Sequence, residues 1–144
     1  MLNNIKITPL DRVEILGGDV LHAMKSSDFG YAGFGEAYFS CINYGSIKAW
    51  KRHRRMVMNL VVPVGRVKFV FHIPENQVSN SFHVLEIGKD NYSRITVPPG
   101  IWFGFQGLEK SQSLVLNISD ITHDPSEVER KTINEIAYDW KIIK

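Results

Sequence analysis

Short runs of β-type residues, bounded by turn residues, dominate the hydrophobic pattern of this chain. In residues 66–73 the pattern starts as a strict alternation, because Val67 and Phe69 are flanked by Arg66 and Lys68. Runs rich in aromatic and β-branched residues occupy residues 37–42, 57–62, 66–73, 82–87, 92–97 and 113–119. We therefore expect roughly six to nine strands in an all-β sandwich or barrel, with a jelly roll as the leading option.

Turn residues predict how the runs are joined. The sequence Pro63-Val64-Gly65 predicts a hairpin that pairs residues 57–62 with residues 66–73. Residues 74–81 and 108–112 are predicted loops. A helical pattern is limited to residues 126–133, where Asp124 and Pro125 supply an N-terminal cap. Since no linker or repeat interrupts the 144 residues, residues 1–144 are predicted to form a single domain.

Composition restricts the classes of function. The formal net charge of +2 is too small for general nucleic-acid binding, so we expect no nucleic-acid partner. No apolar stretch is long enough to span a membrane or serve as a signal peptide, so no membrane partner is expected. The lone Cys41 suits a reducing compartment. These features predict a cytoplasmic protein.

The most informative segment is residues 47–55, in which five cations and His53 surround Trp50. The segment runs directly into the strand predicted at residues 57–62. Cations fixed on a sheet suit a defined anion, such as the diphosphate of a nucleotide-sugar. The alternative is a solvated edge strand, in which Lys and Arg discourage pairing with other sheets.

The spacing within this segment assigns side chains to faces. In a regular strand Lys51 and His53 share one face, while Lys48 lies on the other. Bringing Lys48 to the same wall as His53 requires a β-bulge, and the small side chain of Ala49 allows one sterically.

Two motifs make the chain resemble the cupin family that includes dTDP-4-dehydrorhamnose 3,5-epimerases and related nucleotide-sugar isomerases. The family's Arg-Gly-Leu-His or Lys-Gly-Trp-His strand matches residues 48–51, and its Pro-x-Gly-x-x-His-Gly-Phe segment matches residues 98–105. A Tyr with an acidic-proline stretch aligns with residues 123–127, and a terminal Trp with Trp140. The resemblance implies a cupin-type jelly-roll β-barrel, a homodimer, and a nucleotide-diphosphate sugar bound in the barrel mouth.

The chain departs from this family at the positions that carry its chemistry. Lys51 stands at the catalytic-base His, Phe103 at the second His, and His123 at the opposing Tyr. The family's enolate-stabilising Lys falls near Asn59. Glu36 stands where the family often has Gln.

Epimerisation beside a keto group needs a base, a donor for the enolate oxygen and an acid on the opposite face. We expect His53 to be the base, because its ordinary pKa is close to neutrality. Lys51 is expected to hold the enolate oxygen, although cationic neighbours would also suit it as a base. His123 is the expected acid, with Tyr38 and Tyr92 as further phenol candidates.

The remaining expectations concern binding. Lys48, assisted by Arg52 or Arg54, would hold the diphosphate through charge-assisted hydrogen bonds. The further expected substrate contacts are Glu36, Asn59, Tyr92 and Trp102. No cofactor is expected, and no metal, because one imidazole among cations is a poor divalent-ion site.

The predicted function is a nucleotide-diphosphate keto-deoxysugar epimerase or isomerase that acts through an enolate, in the synthesis of surface polysaccharides such as lipopolysaccharide. One alternative is a catalytically silent cupin that binds a nucleotide-sugar and supports a partner enzyme. Another is an oligonucleotide-binding barrel that uses the basic strand and aromatic residues.

Overall fold

The computed structural model describes residues 5–74 and 81–141. These residues form twelve strands: β1 (Lys6–Pro9), β2 (Arg12–Val13), β3 (Val20–Leu21), β4 (Glu36–Ile42), β5 (Ile47–His53), β6 (Met58–Val64), β7 (Arg66–His72), β8 (Phe82–Gly88), β9 (Ser93–Val97), β10 (Trp102–Gly107), β11 (Ser113–Ser119) and β12 (Val128–Arg130). Two short 3₁₀ helices, η1 (Pro125–Glu127) and η2 (Ile133–Glu135), lie near the C-terminus. The all-β prediction is confirmed.

The strands form two five-stranded antiparallel sheets and one small hairpin. The first sheet has the order β1-β9-β6-β11-β4, and the second has the order β12-β5-β10-β7-β8. Strands β2 and β3 pair with each other. Neighbours in each sheet are mostly distant in sequence, so the chain passes repeatedly from one sheet to the other.

Alternate residues of the two sheets fill the space between them. Met58, Leu60 and Val62 of β6 point to this core, and Phe69 and Phe71 of β7 meet them from the second sheet. This two-residue period follows from the opposite directions of successive side chains in a strand. Burial of these apolar side chains, at about 1.5–3 kcal/mol each, holds the sheets together.

The predicted pairing of β6 with β7 is wrong. Strand β6 pairs with β9 and β11 in the first sheet, whereas β7 pairs with β8 and β10 in the second. Gly65, with φ of 90°, turns the chain between the sheets, and a Cβ there would lie 2.1 Å from the hydroxyl oxygen of Ser113. The Pro-Val-Gly turn is therefore a corner of the barrel.

The predicted helix over residues 126–133 is also wrong. Only the 3₁₀ turn Pro125–Glu127 forms, and the chain then continues as β12, which pairs with β5. The cap was predicted correctly, because the carboxylate of Asp124 accepts a hydrogen bond from the Ser126 amide at 2.9 Å. The predicted loop at residues 108–112 is confirmed, and most of the one at residues 74–81 lies outside the described residues.

The bulge in β5 is confirmed. Phe103 of β10 is paired with Lys51, but Phe105 is paired with Lys48, so β5 contains one extra residue between the two pairs. Ala49 lies within this irregular segment and packs closely on Gly104, where an added Cβ would come within 2.6 Å of the Ala49 Cβ. The strand therefore turns Lys48 toward the same side as Lys51.

The C-terminal residues 132–141 cover the outer face of the second sheet. Trp50 and Trp102 of the sheet pack there against Ile136 and Trp140. The indole nitrogen of Trp50 donates a hydrogen bond to the carbonyl of Ile133 at 3.2 Å. This second apolar cluster fixes the back of β5, opposite the barrel interior.

Candidate active site

A cavity of 310 Å³ opens between the two sheets at one end of the barrel. Its walls come from β4, β5, β10, β11 and β12, with these lining residues: Ser40, Lys48, Ala49, Trp50, Lys51, Phe103, Phe105, Asn117, Arg130 and Lys131. The floor is aromatic, because Phe103 and Phe105 come from the barrel core. The cavity thus joins an apolar floor to a polar and strongly cationic wall.

Four cations line the cavity. One of them, Lys131, has its ammonium nitrogen 4.7 Å from the ring centre of Trp102, and the other three come from two neighbouring strands. The bulge brings Lys48 and Lys51 of β5 to one side, and Arg130 of β12 is the cross-strand partner of Lys51. Among residues 5–74 and 81–141, no carboxylate lies within ion-pair distance of these three side chains. Like charges directly opposite each other destabilise a sheet, so this arrangement favours a bound anion.

The environment of Lys51 disfavours its charged form. Burial lowers the pKa of Lys51, and the charges of Arg130 and Lys48 lower it further, although Glu127 acts in the opposite direction. Its ammonium nitrogen lies 5.8 Å from the ring centre of Phe103, on the cavity floor.

His53 forms a buried pair with Glu127. The Nδ1 atom of His53 lies 2.5 Å from Oε1 of Glu127, and both side chains are almost fully buried, with exposed fractions of 7% and 2%. The other carboxylate oxygen accepts hydrogen bonds from the Arg55 and Met56 amides. Because η1 leads directly into β12, the pairing of Val128 with His53 places Glu127 beside the imidazole.

This pairing sets the tautomer of His53. Burial alone would raise the pKa of Glu127, but hydrogen bonds from His53 and the two amides lower it, so the carboxylate is ionised and accepts. Nδ1 is therefore the donor, and Nε2 keeps its lone pair. Nε2 is buried and has no hydrogen-bond partner in the described part of the chain. Burial also lowers the pKa of His53, which keeps the imidazole neutral at neutral pH.

The opposite wall carries neutral polar groups. Ser40 of β4 and Asn117 of β11 line the cavity, and the Asn117 amide donates to the Ser40 hydroxyl at 3.0 Å. Tyr38 lies two residues before Ser40, so its phenol is on the same face of β4. Burial, together with the carboxylate of Glu36, raises the pKa of Tyr38, so the phenol keeps its proton.

Several predicted contacts lie on the other face of the second sheet. Arg52 is bidentate to Glu129, and Arg54 lies 3.4 Å from the same carboxylate. The guanidinium of Arg52 also lies 4.8 Å from the ring centre of Trp102. The structure does not bring these three residues to the cavity, because strand alternation turns them to the outside.

Five other predicted residues are also absent from the cavity lining. One is His53, whose ring centre lies 6.5 Å from that of the lining residue Phe103. His123 is exposed in the loop before η1. Asn59 donates a hydrogen bond to the carbonyl of Gly30, and the hydroxyl of Tyr92 donates to the carbonyl of His22. Glu36 lies at the start of β4, where its charge acts on Tyr38.

Sequence analysis missed Glu127, Arg130, Ser40 and Asn117. A signal for Glu127 was present, since it ends the acidic-proline stretch that follows His123. That stretch was assigned to a helix, which hid the approach of its carboxylate to β5. No comparable signal marked Arg130, because its position depends on the pairing of β12 with β5.

Within residues 5–74 and 81–141, no group of three His, Cys, Asp or Glu side chains is arranged to hold a metal ion. No helix in this part of the chain is long and apolar enough to cross a membrane.

Two antiparallel sheets enclosing a cavity of this kind define a cupin-type jelly-roll barrel. The structure is similar to that of a dTDP-sugar isomerase from Desulfovibrio desulfuricans G20, with a TM-score of 0.89 and 32% identity over 95% of this chain and 90% of that chain. The chain belongs to this dTDP-sugar isomerase family. No model of a protein family matches the chain, and no curated protein matches its sequence.

More distant structures share the fold. QdtA, a sugar 3,4-ketoisomerase from Thermoanaerobacterium thermosaccharolyticum solved with TDP, has a TM-score of 0.77 at 15% identity, over 94% of this chain and 96% of that chain. The 3,5-epimerase RmlC of Legionella pneumophila, solved with dTDP-4-keto-L-rhamnose, has a TM-score of 0.79 at 15% identity, over 97% and 80%. The cupin-type jelly-roll prediction is therefore confirmed.

Proposed function

We propose that this protein is an isomerase or epimerase of a nucleotide-diphosphate keto-deoxysugar and that it acts through an enolate. The main observation is the buried His53–Glu127 pair near a cavity lined by four cations, of which Lys48, Lys51 and Arg130 have no carboxylate partner among the described residues. Family membership supports the same class of substrate. The proposed product would serve the synthesis of surface polysaccharides, and we propose that this takes place in the cytoplasm.

Lys48 and Arg130 would bind the diphosphate. Both side chains lie at the cavity, and neither has a carboxylate partner in the described part of the chain. A diphosphate would replace their mutual repulsion by charge-assisted hydrogen bonds, each contributing about 1.5–3 kcal/mol. The sugar would then extend over the aromatic floor toward Lys51 and His53.

His53 would remove the proton from the carbon beside the keto group. Its Nε2 lone pair is buried and has no partner in the described part of the chain, so the sugar would have to reach it from the cavity. Glu127 would stabilise the imidazolium that forms. Lys51 would stabilise the negative charge that develops on the keto oxygen. Positioned acid–base catalysis of this kind contributes about 10²–10⁴-fold to a rate.

The fate of the proton distinguishes the two reactions. Return of a proton to the opposite face of the same carbon is epimerisation, for which the protonated phenol of Tyr38 is the proposed acid. Return to the former keto carbon, with the ketone moved to its neighbour, is 3,4-ketoisomerisation. His123 was expected to be the acid, but it lies in the loop before η1, whereas Tyr38 lies on the same face of β4 as the cavity residue Ser40, which favours Tyr38 for this role.

We also propose a homodimer. The outer face of the first sheet carries exposed apolar side chains, including Phe39 at 61% and Val64 at 49% exposure. Contiguous exposed apolar surface of this kind is typical of protein interfaces. Sedimentation of the wild-type protein as a dimer, and of Phe39→Glu as a monomer, would support this assembly, whereas a monomeric wild type would contradict it.

The test of function is incubation with TDP-4-keto-6-deoxyglucose in deuterated water, followed by NMR. Enolate chemistry predicts loss of the C3 or C5 proton signal, and deuterium at C4 would identify ketone migration. Binding of the nucleotide-sugar without any exchange would contradict the enzyme and support a silent binding module. Binding of a labelled oligonucleotide that is lost with added salt would support the third alternative.

A further inference from the structure

Lys51 differs from the other lysines in the kind of site it occupies. It lines the cavity, it follows the bulge of β5, and its cross-strand neighbour is a second cation, Arg130. The nearest acidic group, Glu127, already uses one oxygen for His53 and the other for two backbone amides. Lys51 is therefore a primary amine at the proposed substrate cavity, and no carboxylate among the described residues is in place to hold its proton.

Such surroundings favour a neutral amine. Burial and the charges of Arg130 and Lys48 all lower the pKa of Lys51. A neutral lysine beside other cations is a nucleophile toward carbonyl groups, and it forms Schiff bases with ketones. The substrate class proposed above carries a ketone.

We propose that Lys51 reacts covalently with the keto carbon of the sugar, so that the reaction passes through an iminium ion and an enamine. This inference rests on the proposed function. It specifies how Lys51 would stabilise the charge that develops in the reaction, namely as the nitrogen of the iminium ion. His53, two residues along the same face of β5, would then act on the carbon next to the iminium.

The covalent reaction begins at the amine of Lys51. The Nζ lone pair forms a C–N bond to the keto carbon, and one amine proton passes to the oxygen. The hydroxyl then takes a proton from solvent and leaves as water, giving the iminium. His53 removes the adjacent C–H proton to give the enamine, a proton returns to that carbon, and water hydrolyses the iminium to the ketone and free Lys51.

This route selects between the two reactions. If the ketone migrated while the C–N bond existed, the nitrogen would remain on the former keto carbon as a secondary amine, which water cannot hydrolyse. A covalent route through Lys51 therefore permits epimerisation beside the ketone and excludes its migration. The product expected from this chain is a 4-keto epimer.

Cyanoborohydride trapping tests the inference. The protein is mixed with TDP-4-keto-6-deoxyglucose and sodium cyanoborohydride, digested, and examined by mass spectrometry. We expect a stable sugar-nucleotide adduct on the peptide that carries Lys51. Lys68 is an internal control for non-specific labelling, because burial lowers its pKa too, but it lies on the outer face and donates to the carbonyl of Trp140.

The outcomes separate this inference from the proposed function. Deuterium exchange into the sugar without an adduct on Lys51 would overturn the covalent step and leave the enolate function intact. Absence of both exchange and adduct would overturn both. Lys51→Arg keeps the charge but cannot form an iminium, so we expect its exchange rate to fall at least about 100-fold. A rate within a few-fold of wild type would overturn the inference, as would deuterium at C4.

Discussion

Strand β5 carries cations on both faces, and the two faces hold them differently. On the outer face, Arg52 and Arg54 share the carboxylate of Glu129, with nitrogen–oxygen distances of 2.9 and 3.4 Å. On the inner face, Lys48 and Lys51 meet another cation across the strands and no carboxylate in the described part of the chain. Both sets come from one short basic segment, so composition alone does not distinguish them.

The difference separates stabilisation from chemistry. Paired cations on a sheet surface contribute modestly to folding, typically about 0–1 kcal/mol. Unpaired cations that face each other at a cavity destabilise the free protein, and a bound anion offsets this cost. The face with unsatisfied charge is therefore the one we assign to substrate.

The largest expected effect concerns the carboxylate behind His53. Glu127→Gln removes the acceptor that fixes the tautomer and stabilises the imidazolium, so we expect deuterium exchange to slow about 10²–10⁴-fold. The matched control is Glu129→Gln, which alters the outer face only and should exchange at the wild-type rate. Equal losses in the two variants would remove the distinction between the faces.

The next prediction compares how cations on the two faces of the sheet contribute to the affinity for TDP. Arg130→Gln should weaken TDP binding about tenfold or more, because it removes a charge-assisted hydrogen bond worth about 1.5–3 kcal/mol. Arg54→Gln removes the same charge from the outer face and should leave the dissociation constant unchanged. Calorimetric titration measures both, and a similar weakening in both variants would indicate only a general charge effect.

Acid should destabilise the protein through the buried pair. The pKa of His53 is lowered by burial, so below about pH 6.5 the unfolded chain takes up a proton before the folded chain does. The free energy of unfolding should therefore fall as the pH drops through this window, by at most about 1.4 kcal/mol per pH unit for this proton. His53→Gln should flatten this part of the curve measured by urea denaturation, and an unchanged curve would exclude a buried neutral imidazole.

The smallest expected effect is on the stability of the ligand-free protein. Lys51→Met should stabilise it by about 0.5–1 kcal/mol, because it removes the cost of holding an amine in a buried position opposite the charge of Arg130. Arg52→Met should destabilise it by about as much, because it breaks the bidentate pair with Glu129. Thermal unfolding measures both, and shifts of the same sign would contradict the contrast between the faces.

The strands β4, β6, β7, β8, β9 and β11 were predictable because they depend on local pattern. The twelve strands that form exceed the expected six to nine, since the short strands β1, β2, β3 and β12 have no such pattern. The need to bring Lys48 and His53 to one wall predicted the irregularity at Ala49, and the pairing with β10 has it there. The corner at Gly65 was not predictable, because a corner between two sheets and a tight hairpin turn within one sheet use the same types of residue. The strand β10 was not predictable from its pattern, because Gly104 and Gly107 interrupt it and Pro98 and Pro99 precede it.

The composition of the site was only partly predictable, because it depends on contacts distant in sequence. Lys48 and Lys51 were identified from one segment, whereas Arg130 and Glu127 arrive through the pairing of β12 with β5. Trp102 was expected at the barrel mouth, but the residue that lines the cavity is its neighbour Phe103. The hydrophobic pattern predicts which residues of a strand share a face, but the pairing between strands determines which face lies inside the barrel.

Deuterium exchange by the His53→Asn variant tests most directly whether His53 is the base. Asparagine can still donate a hydrogen bond toward Glu127, but it has no basic nitrogen. We expect the His53→Asn protein to retain TDP binding and to lose deuterium exchange into TDP-4-keto-6-deoxyglucose. The control His123→Asn should exchange at the wild-type rate. Exchange by His53→Asn at the wild-type rate would contradict the assignment of His53 as the base.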